Sequence, residues 1–543
     1  MSVSIHWFRK GLRLHDNPAL LHASQISVGT MLPLFILDPC YLSPQKIADN
    51  QMAHLLETLC NLDVNLKKKG SRLFIVLGTP SKVLPIIIKQ LKVDLITFES
   101  DTEPDSIKME KEVIAVAKEA GVEEIASFCS HTLYDPEYLL KVSGGRPPLT
   151  MPVFLSLLAK AGPPPPPVAT PDKLPYPPSM DHFTKLKSLF LYQSVPTLSD
   201  LTQFGYDPHG KTTYFIGGED EALRRMDKFL SQKRRVATFE KLKTLPTALE
   251  PDTTALSPFL KFGSLSIRLF LTRIKEVYEI CGRDHTLPPV SLEGQLYWRE
   301  MAYLLAYSTP NFDKMVGNPI CKQIPWATGD EAEKLLKRWE FGQTGFPAID
   351  APMNQLRSEG WMHHLARHLV SCFLTRGDLW LHWEAGRGVF DRHLLDADWS
   401  INNFHWHYMS CSALFHQYFR CYKPATFFKK MDPKGSYVRK YVPSLKHFPD
   451  EYIYEPWKAS MNVQIKCKCI IGKDYPKPIV DHEMASKENM IKMKTAYDKA
   501  KQTHLEGEVC RDEDYSVSEN MTSKRVHIDE CDPNSKKKRR KTT

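Results

Sequence analysis

Cysteine is sparse and unpaired in this sequence. The 543 residues include twelve cysteines and no CxxC motif, which removes the usual zinc-knuckle and dithiol-redox arrangements. Cys467 and Cys469 stand too close together for such a knuckle. Reduced thiols in an intracellular compartment are the expectation. Long apolar runs are missing too: none reaches the roughly 20 residues that a membrane-spanning helix needs. The opening VSIHWF passes directly into charged residues, so no signal-peptide core is read there, and a soluble intracellular protein is expected. No GxGxxG follows a strand-like run, and no HExxH occurs, which argues against a dinucleotide fingerprint and a zincin site. Charge of one sign is also in short supply. Lys and Arg total 72 against 63 Asp and Glu, a net +9, and six of the positive charges are Lys536, Lys537, Lys538, Arg539, Arg540 and Lys541. The remainder is only slightly basic, so net charge alone does not establish nucleic-acid binding. The basic end reads as a nuclear import signal, with a solvated tail or a nonspecific phosphate contact as the alternatives.

The length exceeds one typical domain, so two domains and a tail are expected. Strand-like runs recur at Val3 to Phe8, Thr30 to Leu37, Arg72 to Leu77, Leu95 to Glu99 and Ile125 to Cys129. Helical patterns lie between them, the clearest at Gln51 to Leu66, where Met52, Leu55, Leu56 and Leu59 form an apolar stripe. This alternation predicts an α/β domain over residues 1–143 with a doubly wound parallel sheet. Residues 144–208 are proline-rich, with Pro163 to Pro167 consecutive, and read as an extended connector. Helical patterns dominate 209–500, predicting an all-α domain, and the polar residues 501–543 read as a disordered tail.

The stretch from Trp339 to Trp406 carries most of the chemistry. A helix is predicted after Gly360, with Leu365, Val370, Phe373 and Leu374 on its buried side. His364, Arg367 and His368 share another face at i, i+3 and i+4. Trp380 and Trp383 are three apart and are predicted on a second helix. Asp396 and Asp398 flank Ala397, and Trp406 follows. Taken singly these are unremarkable: tryptophans fill cores, paired aspartates cap helices, and histidines pack. Thr253, Thr254 and Ser257 precede Pro258, a residue suited to a helix start, where free N–H groups favour phosphate; a simple helix cap fits as well. The joint pattern points to redox photochemistry on a bound flavin.

At these residues the chain resembles the photolyase and cryptochrome family, specifically the animal (6-4) photolyases and the cryptochromes related to them. The resemblance runs through IHWFRKGLRLHDNPAL (Ile5 to Leu20), TTALSPFLKFGSLS (Thr253 to Ser266), GQLYWRE (Gly294 to Glu300) and CIIGKDYPKPIVDH (Cys469 to His482). It implies an α-helical FAD-binding domain behind an α/β domain that can hold an antenna chromophore, either a deazaflavin or a folate. By the same resemblance Thr253, Thr254 and Ser257 hold the FAD phosphates. Asp396 and Asp398 line the cofactor, Arg367 pairs with Asp396, and Asn402 lies near flavin N5. Trp406, Trp383 and Trp339 match the family's electron-transfer chain, with Trp380 as an outer fourth member. His364 and His368 match residues that deliver a proton to a (6-4) photoproduct. Gln295, Trp298, Tyr408, Arg420 and Tyr422 match positions around the flipped base. Where the family usually reads NAG, then Ser or Asn, then W-x-W, this chain reads NNFHWHY. Phe404 replaces a glycine that permits close backbone approach, and Tyr408 replaces a lesion-contacting tryptophan. Two functions follow from the resemblance: light-driven repair of (6-4) photoproducts, with UV-damaged DNA as partner, or a cryptochrome role as photoreceptor or circadian-type transcriptional regulator, with signalling proteins as partners. The retained His364, His368 and Arg420 place repair first.

Overall fold

Near-continuous apolar runs are what strands covered on both faces require, and β1 (Val3–Phe8), β2 (Thr30–Leu37), β3 (Phe74–Leu77), β4 (Val93–Glu99) and β5 (Glu124–Phe128) form where they were predicted. The computed structural model describes residues 3–26, 29–179, 189–282 and 284–507. The five strands are parallel in the order β5-β4-β1-β2-β3. Alternate residues of one strand serve opposite faces. Met31, Phe35 and Leu37 pack with α1 (Pro18–Ile26) and α2 (Asp49–Lys68), whereas Leu32, Leu34 and Ile36 pack with α3 (Pro80–Leu91) and α4 (Pro104–Glu119). Helices on both faces make the sheet doubly wound. A sixth strand, β6 (Phe190–Tyr192), pairs antiparallel with β3; three residues are too few to show an alternation.

The proline-rich segment differs from the extended connector expected of it. It contains α5 (Met151–Ala161), whose buried Phe154, Leu157 and Leu158 share one core cluster with Phe229, Phe259 and Phe270 of the helical part. Pro152 lies in the first turn, where its missing N–H costs nothing, so proline there begins a helix rather than preventing one. Helices then continue from Glu219. The sheet and helices meet through buried polar contacts: Asp16, 1% exposed, takes 2.5 and 3.0 Å bonds from Arg268, and the Arg13 guanidinium donates to the Gly263 carbonyl at 2.9 Å.

The described residues up to Met493 form one compact unit, and a second starts at Lys494, of which residues 494–507 are described. The helix His482–Gly507 extends beyond the predicted start of the tail. The rest of that tail, including Lys536 to Lys541, lies outside the described residues. Among the described residues all ten cysteines are free, no helix is long and apolar enough to cross a membrane, and no group of three or more His, Cys, Asp or Glu is placed to hold a metal ion.

Candidate functional site

His363 begins the histidine-rich helix. Its Nδ1 accepts from the Leu365 N–H at 3.1 Å and its Nε2 lies 2.8 Å from Thr244 Oγ1, so this ring is spent on capping. The helix His364–Cys372 then presents His364 and His368, half-buried, with ring centroids 5.4 Å apart and nearly perpendicular. His405, from the helix Trp399–Met409, brings a third imidazole 5.6 Å from His368, and Ser371 Oγ holds its Nε2 at 3.0 Å. The Tyr422 hydroxyl is 3.4 Å from His368 Nδ1. Burial, reinforced by the Lys241 charge, pushes His368 down to about 3; burial also holds His364 and His405 well below the ordinary value of 6.5. The rings are therefore neutral at physiological pH. Sequence reasoning missed His405, because its place in the cluster comes from packing between two helices and leaves no local period.

Arg367 and Asp396 pair as expected, Nη2 donating to Oδ2 at 2.8 Å while Nε donates to the Met362 carbonyl at 3.1 Å. The other Asp396 oxygen, Oδ1, is buried without a partner. An acceptor left in that condition suits a ligand donor such as a flavin ring N–H. Lys241 agrees with this fit: burial and the neighbouring Arg367 push it down to about 8, and an anionic group would relieve the crowding of two cations. Thr253, Thr254 and Ser257 stand half-buried at the start of the helix Ser257–Phe262, with Pro258 in its first turn. Asp398 is occupied differently. It caps Trp399–Met409 through the Ile401 N–H at 3.1 Å, accepts from the Tyr303 hydroxyl and lies 3.7 Å from His131. Burial opposes its ionisation, but His131, Lys10 and Arg299 hold the carboxyl well below the usual range. The buried Asn402 amide donates to Asp391 at 2.6 Å and to the Arg387 carbonyl at 3.3 Å.

Trp406, Trp383 and Trp339 are fully buried. Trp406 is 6.3 Å from Trp339 and 5.1 Å from Phe390 between ring centroids, and its indole N–H has no partner. Trp339 donates its N–H to the Val370 carbonyl at 3.0 Å and stacks on Phe390, which places it deep in the core. Trp380 departs from the expected shared helix with Trp383. That helix begins at Trp383, and Trp380 precedes it at φ +58°, after a π turn at Phe373–Gly377. A left-handed residue cannot continue a helix, so the spacing of three does not mean one helical face here. Trp380 instead bonds the Pro325 carbonyl at 2.9 Å and meets Trp326 at 4.7 Å. Lys492 lies 5.2 Å from the Trp380 ring. Sequence reasoning overlooked Trp326, whose isolated IPWA context carries no helical or strand pattern.

On the helix that carries His405, Phe404 and Tyr408 join Trp298 and Phe415 in an aromatic wall, with centroid separations of 6.1 Å for Trp298–Phe404, 6.4 Å for Phe404–Tyr408 and 4.7 Å for Tyr408–Phe415. Gln295 donates to the Pro289 and Ser291 carbonyls at 3.3 and 3.2 Å, while its Oε1 is buried without a partner. Arg420 is exposed. The loop carrying Arg420 and Tyr422 is held by the buried Arg376, which donates to the carbonyls of Met409, Tyr418 and Arg420 at 2.9, 2.8 and 3.0 Å. Arg376 is a positioning residue that the sequence pattern did not reveal.

Family models described as DNA photolyase and as the FAD binding domain of DNA photolyase match residues 4–172 and 291–495. A rice (6-4) DNA photolyase is 46% identical over 516 residues, covering 91% of this chain and 90% of that protein. Cryptochrome-1 of Macaca fascicularis is 46% identical over 500 residues, covering 91% and 83%. The crystal structure of an archaeal photolyase from Sulfolobus tokodaii, which holds two FAD molecules, superposes with a TM-score of 0.70 at 26% identity, covering 91% of this chain and all of that one. This chain therefore belongs to the photolyase and cryptochrome family, and its helical part carries that family's FAD-binding domain.

Proposed function

We propose that the protein repairs (6-4) photoproducts in DNA with light. The observation that carries this reading is the His364–His368 pair beside Tyr422 and the aromatic wall, a proton source next to a surface on which a flipped base can stack. When bound, FAD supplies light absorption and one-electron chemistry. Arg367 and Asp396 orient the ring system, with Asp396 Oδ1 as the free acceptor, and Thr253, Thr254 and Ser257 offer hydroxyls to its phosphates. His364 moves a ring proton to the lesion, and His368, steadied by Tyr422, assists. Burial keeps both rings neutral, so the proton His364 gives is one it takes up as negative charge from reduced flavin and DNA enters the pocket. Trp406 and Trp383 begin an electron route, and we assign its outer end to the Trp326–Trp380 pair rather than to Trp339, whose surroundings lead deeper into the core. An antenna chromophore in the α/β domain and nuclear import through Lys536 to Lys541 complete the proposal.

One observation favours a cryptochrome role instead. Phe404 fills the space a glycine would leave and packs against Trp298 and Tyr408, narrowing the wall on which a lesion would lie. Dark binding separates the readings. A duplex with one (6-4) photoproduct should bind on the order of a thousandfold more tightly than undamaged duplex, the lower end of the usual range of specific over nonspecific affinity. Equal affinity would contradict repair and favour the receptor.

A further inference from the structure

His407, three residues on from Phe404 in the helix Trp399–Met409, is fully buried, its ring centroid 4.6 Å from that of Trp383. Its Nε2 is 2.7 Å from the Phe312 carbonyl oxygen. A carbonyl only accepts, so the proton is on Nε2 and Nδ1 keeps a lone pair. Asn318 Nδ2 approaches the same Nε2 at 3.4 Å. Because Asn318 Oδ1 accepts from the Ile320 N–H at 3.1 Å, the amide orientation is fixed and that longer approach sets two N–H groups side by side without a bond. His407 Nδ1 is buried without a partner, and so is Trp383 Nε1. A buried acceptor and a buried donor, each costly to leave unpaired, thus occupy neighbouring rings. Burial pushes His407 down to about 4, the Phe312 carbonyl and Asp313 working against that and Arg387 with it. The ring is neutral and ready to accept.

We propose that His407 is the proton acceptor of the electron route, an inference that rests on the route assigned above. When the Trp383 indole gives an electron to the Trp406 radical cation, its Nε1–H bond breaks and the proton passes to His407 Nδ1. The products are neutral Trp406, a neutral Trp383 radical and a His407 imidazolium, so charge and atoms balance. An indole N–H is barely acidic in the closed-shell ring and becomes far more acidic once an electron is removed. The adjacent imidazole lone pair is the base at hand. Proton transfer pins the radical at Trp383, slows its return to Trp406 and competes with passage to Trp326 and Trp380.

The test is flash spectroscopy of the full, FAD-loaded chain carrying Trp326→Phe and Trp380→Phe, which keeps the radical at Trp383. The long-wavelength band of the tryptophanyl cation should give way to the shorter-wavelength band of the neutral radical, more slowly in D2O. Adding His407→Gln, which retains an N–H for the Phe312 carbonyl but has no basic nitrogen, should remove that conversion and speed the back reaction. Unchanged conversion in His407→Gln overturns the inference, as does a cation band that never converts with His407 present. Failure to form any tryptophanyl radical overturns the electron route itself, and the His407 inference with it. Independently of flash chemistry and of any variant's folding, the 15N shifts of His407 in the unsubstituted dark protein should show a neutral ring protonated on Nε2; protonation on Nδ1 overturns the inference.

Discussion

At the residue scale, the tightest constraints come from atoms that the fold leaves unpaired. Asp396 uses one oxygen on Arg367 and keeps the other buried and free. Asp396→Asn should weaken FAD retention by about ten- to a hundredfold, since a charge-assisted contact is worth about 1.5–3 kcal/mol; equilibrium dialysis against FAD checks this, and unaltered retention would remove Asp396 from the cofactor. Trp406→Phe should slow photoreduction on the order of tenfold or more without releasing FAD, measured as bleaching of the oxidised spectrum under blue light. Unchanged bleaching would contradict Trp406 as the first donor. The sequence disclosed residues whose partners share a helix or fall within a recognisable motif, such as His364, His368, Arg367 and Asp396. Trp326, His405 and Arg376 escaped because each acquires its meaning from contact with a segment distant in sequence, Trp380, His368 and the loop through Tyr418 and Arg420 respectively.

At the scale of elements, the inner parallel strands were legible because strands covered on both faces need largely apolar runs, whereas the edge strand β5 is only partly covered. The helix Met151–Ala161 was not, because its prolines drew the reading towards an extended chain although Phe154, Leu157 and Leu158 keep helical spacing. The Trp380 turn escaped because a left-handed backbone leaves no trace in hydrophobic period. The helices Trp383–His393 and Trp399–Met409 pack through Gly386, where an added Cβ would come within 2.2 Å of Trp406 and 2.4 Å of Leu374. Gly386→Ala should therefore cost about 1–3 kcal/mol by overpacking, seen as a lower midpoint in denaturant, and an unchanged midpoint would show that the pair can separate freely. Phe404→Gly should lower helix stability by about 1 kcal/mol yet tighten binding to a (6-4) duplex. Weaker binding would mean that Phe404 contributes to the wall rather than crowding it.

For the whole molecule, buried histidines set the acid limit. His6, His54, His363 and His368 are pushed down to about 3, and His131 and His407 to about 4, in each case by burial first. Between those values and the ordinary 6.5, the unfolded chain binds more protons than the folded one, so stability falls as pH falls through that window. Glu103 and Glu300, raised to about 7, and Asp350 and Asp378, raised to about 6, work in the opposite sense, but six histidines outweigh four carboxyls. The thermal midpoint should drop steadily from pH 6.5 to 4; a midpoint that rises on acidification would contradict the burial of these rings. The decisive measurement is illumination of flavin-reduced protein with an oligonucleotide carrying one (6-4) photoproduct, beside a dark control and a cyclobutane-dimer substrate. Repair reads as light-dependent restoration of the (6-4) bases alone. No restoration, with FAD bound and photoreducible, would contradict repair and leave the family's signalling role.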